Sequence, residues 1–332
     1  MVTIEDVAEY AGSSVADLES LADRLSAGAD YTTHIYTTYN RGRREIVAPT
    51  TELDTITKNL HRNFVVELPY SPPPHVHGFV KGRSTLTNAA AHLNKPCVLR
   101  VDLREFFPSI SAARVSAALG GQGFEPDAVN LCTRVLTIDG RLPIGLSTSP
   151  LISNMVFEET DGALVDYCKA EDLAFTRYVD DMIFSGEVVE RNLRELRDLL
   201  LGRGWLTNDR KTVFMRRGGP QYVTGLFVGC ADMPRIPRRI KRQLRRVCYL
   251  IEKFGYETYM DDFGGSDARM VPNRLYGWAR YIASVEPSVG YPLLRLLSEH
   301  VPEEHPHSQT TTLPDYLERY RIHVVESLDE IL

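Results

Sequence analysis

The chain has little cysteine, no long apolar run and no internal repeat, and each absence excludes something. Its five cysteines, Cys97, Cys132, Cys168, Cys230 and Cys248, are odd in number, scattered and never spaced as C-x-x-C. That argues against a disulfide framework and predicts reduced thiols in a cytosolic compartment, most of them small core residues. No stretch approaches the roughly 20 consecutive apolar residues of a membrane span. The start is acidic, where a signal peptide would be basic and then apolar. A soluble, intracellular protein without membrane contact is expected. No linker is long or polar enough to set apart a second enzyme.

What is present permits a sizeable core: 332 residues, 43% of them hydrophobic, are enough for two or three subdomains. The net charge of −6 looks wrong for a nucleic-acid binder until it is followed along the chain. Residues 1–30 hold seven acids against one base and residues 301–332 seven against two, which leaves +5 for the middle. Counterions are released where Lys and Arg meet phosphate, so the local distribution matters more than the total.

The chemistry gathers in residues 174–186, AFTRYVDDMIFSG. An alternating β-prone run and a short apolar run flank Asp180 and Asp181, the pattern of a hairpin with both acids at its turn. Aspartate is a common turn residue, so a solvated turn competes evenly with a cation site. Upstream, VLRVDLREFFPSI ends an apolar strand in Asp102, and Ser109 or Ser111 caps the next short element. Three acids on neighbouring strand tips could hold two Mg²⁺ ions for in-line phosphoryl transfer.

These strings resemble reverse transcriptases. YVDD at 178–181 matches the family's aromatic-x-Asp-Asp motif, and Asp102 its other catalytic aspartate. PIGLSTSPLISN at 143–154 matches the Gly-x-x-x-Ser-Pro-x-x-x-Asn segment between them. NAAAH at 88–92 and VTG at 223–225 resemble signatures of the retron branch. The resemblance implies an α+β right-hand polymerase with fingers, a palm of antiparallel sheet with helices on one face, and a helical thumb. The expected boundaries are an N-terminal helical extension at 1–30, fingers at 31–97, palm at 98–230 with fingers elements near 113–142, and thumb plus acidic tail at 231–332.

It also implies RNA-templated DNA synthesis with two Mg²⁺ ions, Mn²⁺ being a possible substitute. Asp102, Asp180 and the Leu103 carbonyl would hold the ion on the triphosphate, and Asp181 would help complete the pair. A retron enzyme would take deoxynucleoside triphosphates, recognise its own structured non-coding RNA and prime on an internal 2′-hydroxyl. It would leave a branched RNA–DNA product and serve phage defence beside a separate effector protein. A reverse transcriptase of the group II intron or abortive-infection kind, or a catalytically silent RNA-binding scaffold, are the alternatives.

Along the rest of the chain, residues 1–30 read as two short helices split by Gly12, Ser13 and Ser14. Residues 31–49 read as a hairpin turning at Asn40, Arg41 and Gly42. Arg44 matches the family's triphosphate arginine, whereas Thr37 or Thr38 stands where relatives commonly carry lysine. A helix over 53–68 gives way to an extended Ser-Pro-Pro-Pro-His segment. His75 and His77 form no metal pair, for no acid or cysteine stands at a ligand-like interval. Residues 78–84 resemble the G-F-x-x-G-R-S loop, with Lys81 and Arg83 as phosphate or template contacts. Asn88 and His92 share a helix face and hydrogen-bond either a structural partner or RNA.

Phe107 occupies the family's aromatic gate against a 2′-hydroxyl, with plain core as the competing reading. Gly145 and Ser149 are expected at the nucleotide, with Ile144 where many relatives carry glutamine. Helices are expected over 123–136, 151–157 and 188–201. Lys211, in a stretch resembling the next family motif, is the candidate general acid for the departing pyrophosphate. Val223, Thr224 and Gly225 would hold the primer end. RIPRRIKRQLRRV packs seven bases and no acid, and Arg238, Arg239, Lys241, Arg242, Arg245 and Arg246 are expected to track a duplex through its phosphates.

Overall fold

Local capping signals decide where the first helices start and stop. In the computed structural model, which describes residues 1–38, 42–230, 232–263 and 271–302, Thr3 and Asp6 cap α1 (Ile4–Ala11) reciprocally. Gly12 ends it at φ +69°. Ser14 caps α2 (Val15–Ser26). Strands β1 (Tyr31–Thr38) and β2 (Gly42–Pro49) pair antiparallel as a ribbon, and part of its expected turn, 39–41, lies outside the described residues. Then come α3 (Thr51–Glu67), the short α4 (Thr85–Ala90), β3 (Cys97–Asp102), α5 (Phe106–Ser109) and α6 (Ala112–Gly121), the last capped by Ser111.

Helix α7 (Pro126–Leu136) starts later than the apolar spacing suggests, because Gly123 turns at φ +85° and Pro126 suits the first helical turn. Helix α8 (Ser149–Ala170) is much longer than expected, burying Leu151, Ile152, Met155, Phe157, Leu164 and Cys168 along its length. Strands β4 (Ala174–Tyr178) and β5 (Asp181–Gly186), helix α9 (Glu190–Gly202) and strand β6 (Val213–Arg216) complete the first compact unit, Met1–Gly219.

The central sheet is antiparallel in the order β4-β5-β3-β6. Because side chains alternate, Cys97, Leu99, Val101, Phe175, Met182 and Phe184 share one face, and all belong to a continuous core with α1, α2, α3, α8 and α9. On the other face Val98, Ile183 and Ser185 are fully buried, with α4 lying against β4.

The second unit, Pro220–Leu332, opens with a small hairpin, β7 (Tyr222–Val223) and β8 (Leu226–Phe227). Helices α10 (Arg238–Phe254), α11 (Tyr256–Phe263), α12 (Val271–Val285) and α13 (Pro287–His300) follow. The two compact units divide at 219–220, with this hairpin on the C-terminal side. None of the described helices is long and apolar enough to cross a membrane. The acidic tail from 303 lies outside the described residues.

Candidate active site

The register of β3 and β5 sets Asp102 directly opposite Asp181, both on the sheet face away from the main core. Asp180 belongs to the two-residue turn that joins Tyr178 to its pairing partner Asp181. Backbone bonds pin these strand ends: Leu103 N–H donates to the Asp180 carbonyl at 3.1 Å, and Asn208 N–H to the Asp102 carbonyl at 2.8 Å. Three carboxylates are thereby crowded at one edge of a sheet.

Two cations answer them. Lys211 Nζ stands 3.0 Å from Asp102 Oδ1 and 3.1 Å from Oδ2, and only the Oδ2 contact has hydrogen-bond geometry. Arg100 Nε lies 3.8 Å from Asp181 Oδ1 and donates to the Lys211 carbonyl at 3.3 Å. The compensation is partial. Burial pushes the Asp181 carboxyl up to about 7, with Asp102 and Asp180 adding to the rise and Arg100 opposing it. Burial, then the charge of Asp102, raises Asp180, while Lys211 and Arg44 pull the other way.

Carboxylates held reluctantly ionised are the hard oxygen donors that Mg²⁺ or Mn²⁺ prefers. The donor set therefore fits a divalent cation in the identity of its groups. Among the described residues no three His, Cys, Asp or Glu side chains stand gathered as a ready ligand set. Asp102 faces Lys211 instead, and Asp181 faces Arg100.

The turn carrying Asp180 is strained. Val179 has φ +63°, a conformation costing a β-branched residue on the order of 1–3 kcal/mol. Behind it Arg177 is fully buried. Its Nε and Nη2 donate to Asp161 at 2.9 and 2.6 Å, and Nη1 donates to Asn154 Oδ1 and to the Val179 carbonyl, each at 3.0 Å. Neither Arg100 nor Arg177 figures in the sequence-based expectations. The signal for both is a charged residue inside an apolar strand: Arg100 precedes Asp102 by two and so shares its face, whereas Arg177 falls on the opposite face from Asp181.

The other expected residues divide. Arg44 is exposed on β2 yet near enough to act on Asp180, while the side chains of Thr37, Thr38, Arg41 and Arg43 lie outside the described residues. Phe107 is half-buried, edge-on to Phe106 and Phe79 at 5.5 and 6.4 Å. Gly145 has φ +129°, and a Cβ there would meet the Val47 carbonyl oxygen at 2.0 Å; Val47 N–H donates to the Ile144 carbonyl at 2.7 Å. The Ser149 hydroxyl is buried and has no hydrogen-bond partner among the described residues. Lys81 is exposed.

Of the residues expected at a nucleic acid, Arg83 is partly buried and Asn88 and His92 are buried. Arg83 is spent internally on the carbonyls of Pro72, Pro73 and Val76, which hold the proline turn. His92 is fully buried, its Nδ1 2.7 Å from Ser185 Oγ and its Nε2 2.7 Å from Thr176 Oγ1, so that it clamps β4 to β5. Asn88 is fully buried too, and among the described residues the two share no partner. His77 meets Thr87 Oγ1 at 2.9 Å, and His75 Nε2 lies 3.9 Å from Asp161.

In the C-terminal unit, Val223 is packed inside, and Thr224 and Gly225 are a hairpin turn at φ +46° and +82°. Lys241, expected at a phosphate, directs its Nζ to the buried Glu286 at 2.8 and 2.9 Å. Arg238, Arg239, Arg242, Arg245 and Arg246 are exposed along α10, with Leu244, Val247, Cys248 and Ile251 buried behind them.

A family profile described as reverse transcriptase (RNA-dependent DNA polymerase) matches residues 49–250. The chain is 31% identical to the retron Mx65 reverse transcriptase of Myxococcus xanthus, over 73% of this chain and 63% of that protein. It is 29% identical to the retron Mx162 enzyme of the same organism, over 89% and 66%. With the retron Ec86 reverse transcriptase of Escherichia coli it shares 27% identity over 78% of each. The chain thus spans just under two thirds of the length of the Myxococcus proteins it matches. Among solved structures, telomerase from Candida albicans with a telomeric RNA fragment aligns at a TM-score of 0.42 and 12% identity, over 84% of this chain and 59% of that one. That likeness is too loose for a comparison of sites. With Asp102 opposite Asp181, Asp180 at their shared edge and the profile running through all three, the chain belongs to the reverse transcriptase family, and its relatives are of the retron type.

Proposed function

We propose that the chain copies an RNA template into DNA, with Asp102, Asp180 and Asp181 as the catalytic carboxylates. The observation that carries this reading is the pairing of Asp102 with Asp181 at neighbouring strand ends, where burial raises Asp180 and Asp181 and leaves them short of positive charge. Divalent cations, Mg²⁺ or Mn²⁺, supply activation of the attacking hydroxyl and stabilisation of the leaving pyrophosphate when bound there. The three carboxylates and the Leu103 carbonyl would hold them. Arg44 faces the triphosphate, and Gly145 lets the Val47 backbone of its strand close on the 143–146 loop. Phe107 excludes a 2′-hydroxyl, and Lys211 gives a proton to the pyrophosphate oxygen.

As a retron enzyme the protein works on a cognate structured RNA and primes from an internal RNA 2′-hydroxyl. It leaves branched RNA–DNA and acts in phage defence with a separate effector in the cytosol. The retron relatives support this, as do the NAAAH and VTG strings. The test is to purify the protein from cells carrying its native locus and sequence the nucleic acid that comes with it, beside Asp180→Ala/Asp181→Ala. One short DNA joined to a structured RNA, missing from the double variant, is the expected result. DNA of mixed or untemplated sequence points to the abortive-infection kind of enzyme, and RNA without DNA from either protein to a scaffold.

A further inference from the structure

A guanidinium sealed in an apolar core is costly unless its donors are met, and Arg177 is fully buried with its charge 4.8 Å above the Phe157 ring. The bidentate pair with Asp161 balances the charge. A structural ion pair would need nothing more. Arg177 also reaches forward from Nη1 to the Val179 carbonyl at 3.0 Å, the first residue of the two-residue turn that ends in Asp180. Val179 is the one residue of that turn with positive φ, at +63°, where a hairpin of this length ordinarily takes glycine.

The turn is held from the other side as well. Segment 75–78 runs along Arg177, whose N–H donates to the His75 carbonyl at 2.8 Å and whose carbonyl accepts from His77 at 2.8 Å. That brings Gly78 against the turn so closely that a Cβ would lie 2.5 Å from the Val179 nitrogen. Asn154 closes the ring, donating to the Gly78 carbonyl at 3.1 Å while accepting from Arg177. Arg177 itself points to the sheet face opposite Asp102 and Asp181, so it acts on them only through the backbone.

We propose that Arg177 is a positioning residue: clamped by Asp161 and Asn154, it holds Val179 in its strained conformation against Gly78 and so sets where Asp180 and Asp181 stand. The inference rests on the polymerase reading for the use made of those acids. Its test is Arg177→Gln/Asp161→Asn, which exchanges the ion pair for neutral amides and leaves no buried charge unpaired. Mn²⁺ affinity is read by electron paramagnetic resonance, and kcat and KM by primer extension, with Val179 native and with Val179→Gly.

The expected result is weaker Mn²⁺ binding and a kcat lower by ~10-fold or more, with the KM for template–primer within ~2-fold. In the Val179→Gly background the same exchange should cost less than ~3-fold, because glycine keeps a positive φ without an anchor. Equal losses in both backgrounds would overturn the proposal and leave Arg177 a core ion pair. Gly78→Ala disturbs the turn with the ion pair whole and should weaken Mn²⁺ binding too; native affinity there also overturns it, and this variant decides alone should the double exchange fail to fold. If the native protein extends no primer on RNA, the polymerase reading falls, while the Mn²⁺ titrations still judge Arg177.

Discussion

His92 gains its role from burial. Between two hydroxyls and away from water, its imidazole is held neutral, and burial pushes its pKa down to about 3 from the ordinary 6.5. Below pH 6.5 the unfolded chain therefore takes up a proton that the folded chain refuses, so stability is full above 6.5 and falls with pH toward 3. His77, lowered to about 4, and His75, also lowered, act in the same direction. Urea unfolding should show His92 alone costing about 2 kcal/mol at pH 5 relative to pH 7. His92→Gln should lose about 1–3 kcal/mol at pH 7 and show a flatter slope below it. The sequence put Asn88 and His92 on one helix face and left open what they bind; α4 ends at Ala90, short of His92, and the partners of His92, 84 and 93 residues away, are visible only once β4 and β5 are paired.

At the scale of elements, the ribbon of β1 and β2 meets the 143–146 loop where Gly145 leaves no side chain in the way. The Gly-x-x-x-Ser-Pro string marks this glycine as important without saying what approaches it. The answer is the Val47 backbone, three residues beyond Arg44 on the same strand. Gly145→Ala should cost roughly 1–3 kcal/mol through its φ of +129° and the clash with Val47. Because the displaced strand carries Arg44, steady-state primer extension should show a raised KM for the deoxynucleoside triphosphate with RNA affinity unchanged. Strand β4 is legible from period-two alternation and β3 and β5 from short apolar runs that end at the acids, whereas β6 carries no such signal and is found only by its pairing with β3. The far end of α8 was not, because its later turns bury Asp161 and other polar residues that break a simple apolar stripe.

At the scale of the whole molecule, charge is sorted by position and by use. The basic run on α10 puts five arginines outside and one lysine inside, and these should behave differently in salt. Fluorescence anisotropy with a short RNA hairpin across a KCl series should lose about 2–3 units of log–log slope in Arg242→Gln/Arg245→Gln/Arg246→Gln. Lys241→Gln should leave the slope alone and destabilise the protein by about 1–3 kcal/mol, since the buried Glu286 loses its nearest cation and keeps only the Ile236 N–H at 2.7 Å and Arg235 at 3.8 Å. An unchanged slope in the triple variant would remove α10 from the nucleic-acid surface.

The sequence by itself determined three aspartates at strand tips, the helix break at Gly12, Ser13 and Ser14, and the basic run at 235–246, while it left Ser109 and Ser111 open as caps and the structure gives the role to Ser111. Each depends on neighbours a few residues away, where periodicity and capping are read directly. Only the tertiary structure decided which polar residues face out. Arg83, Asn88, His92, Arg177 and Lys241 have the composition of a binding surface and are held inside or tied to internal partners. Local pattern records a side chain's chemistry, whereas burial depends on what long-range pairing brings over it, and an internal partner close enough to satisfy a charge removes that charge from the surface available to a ligand.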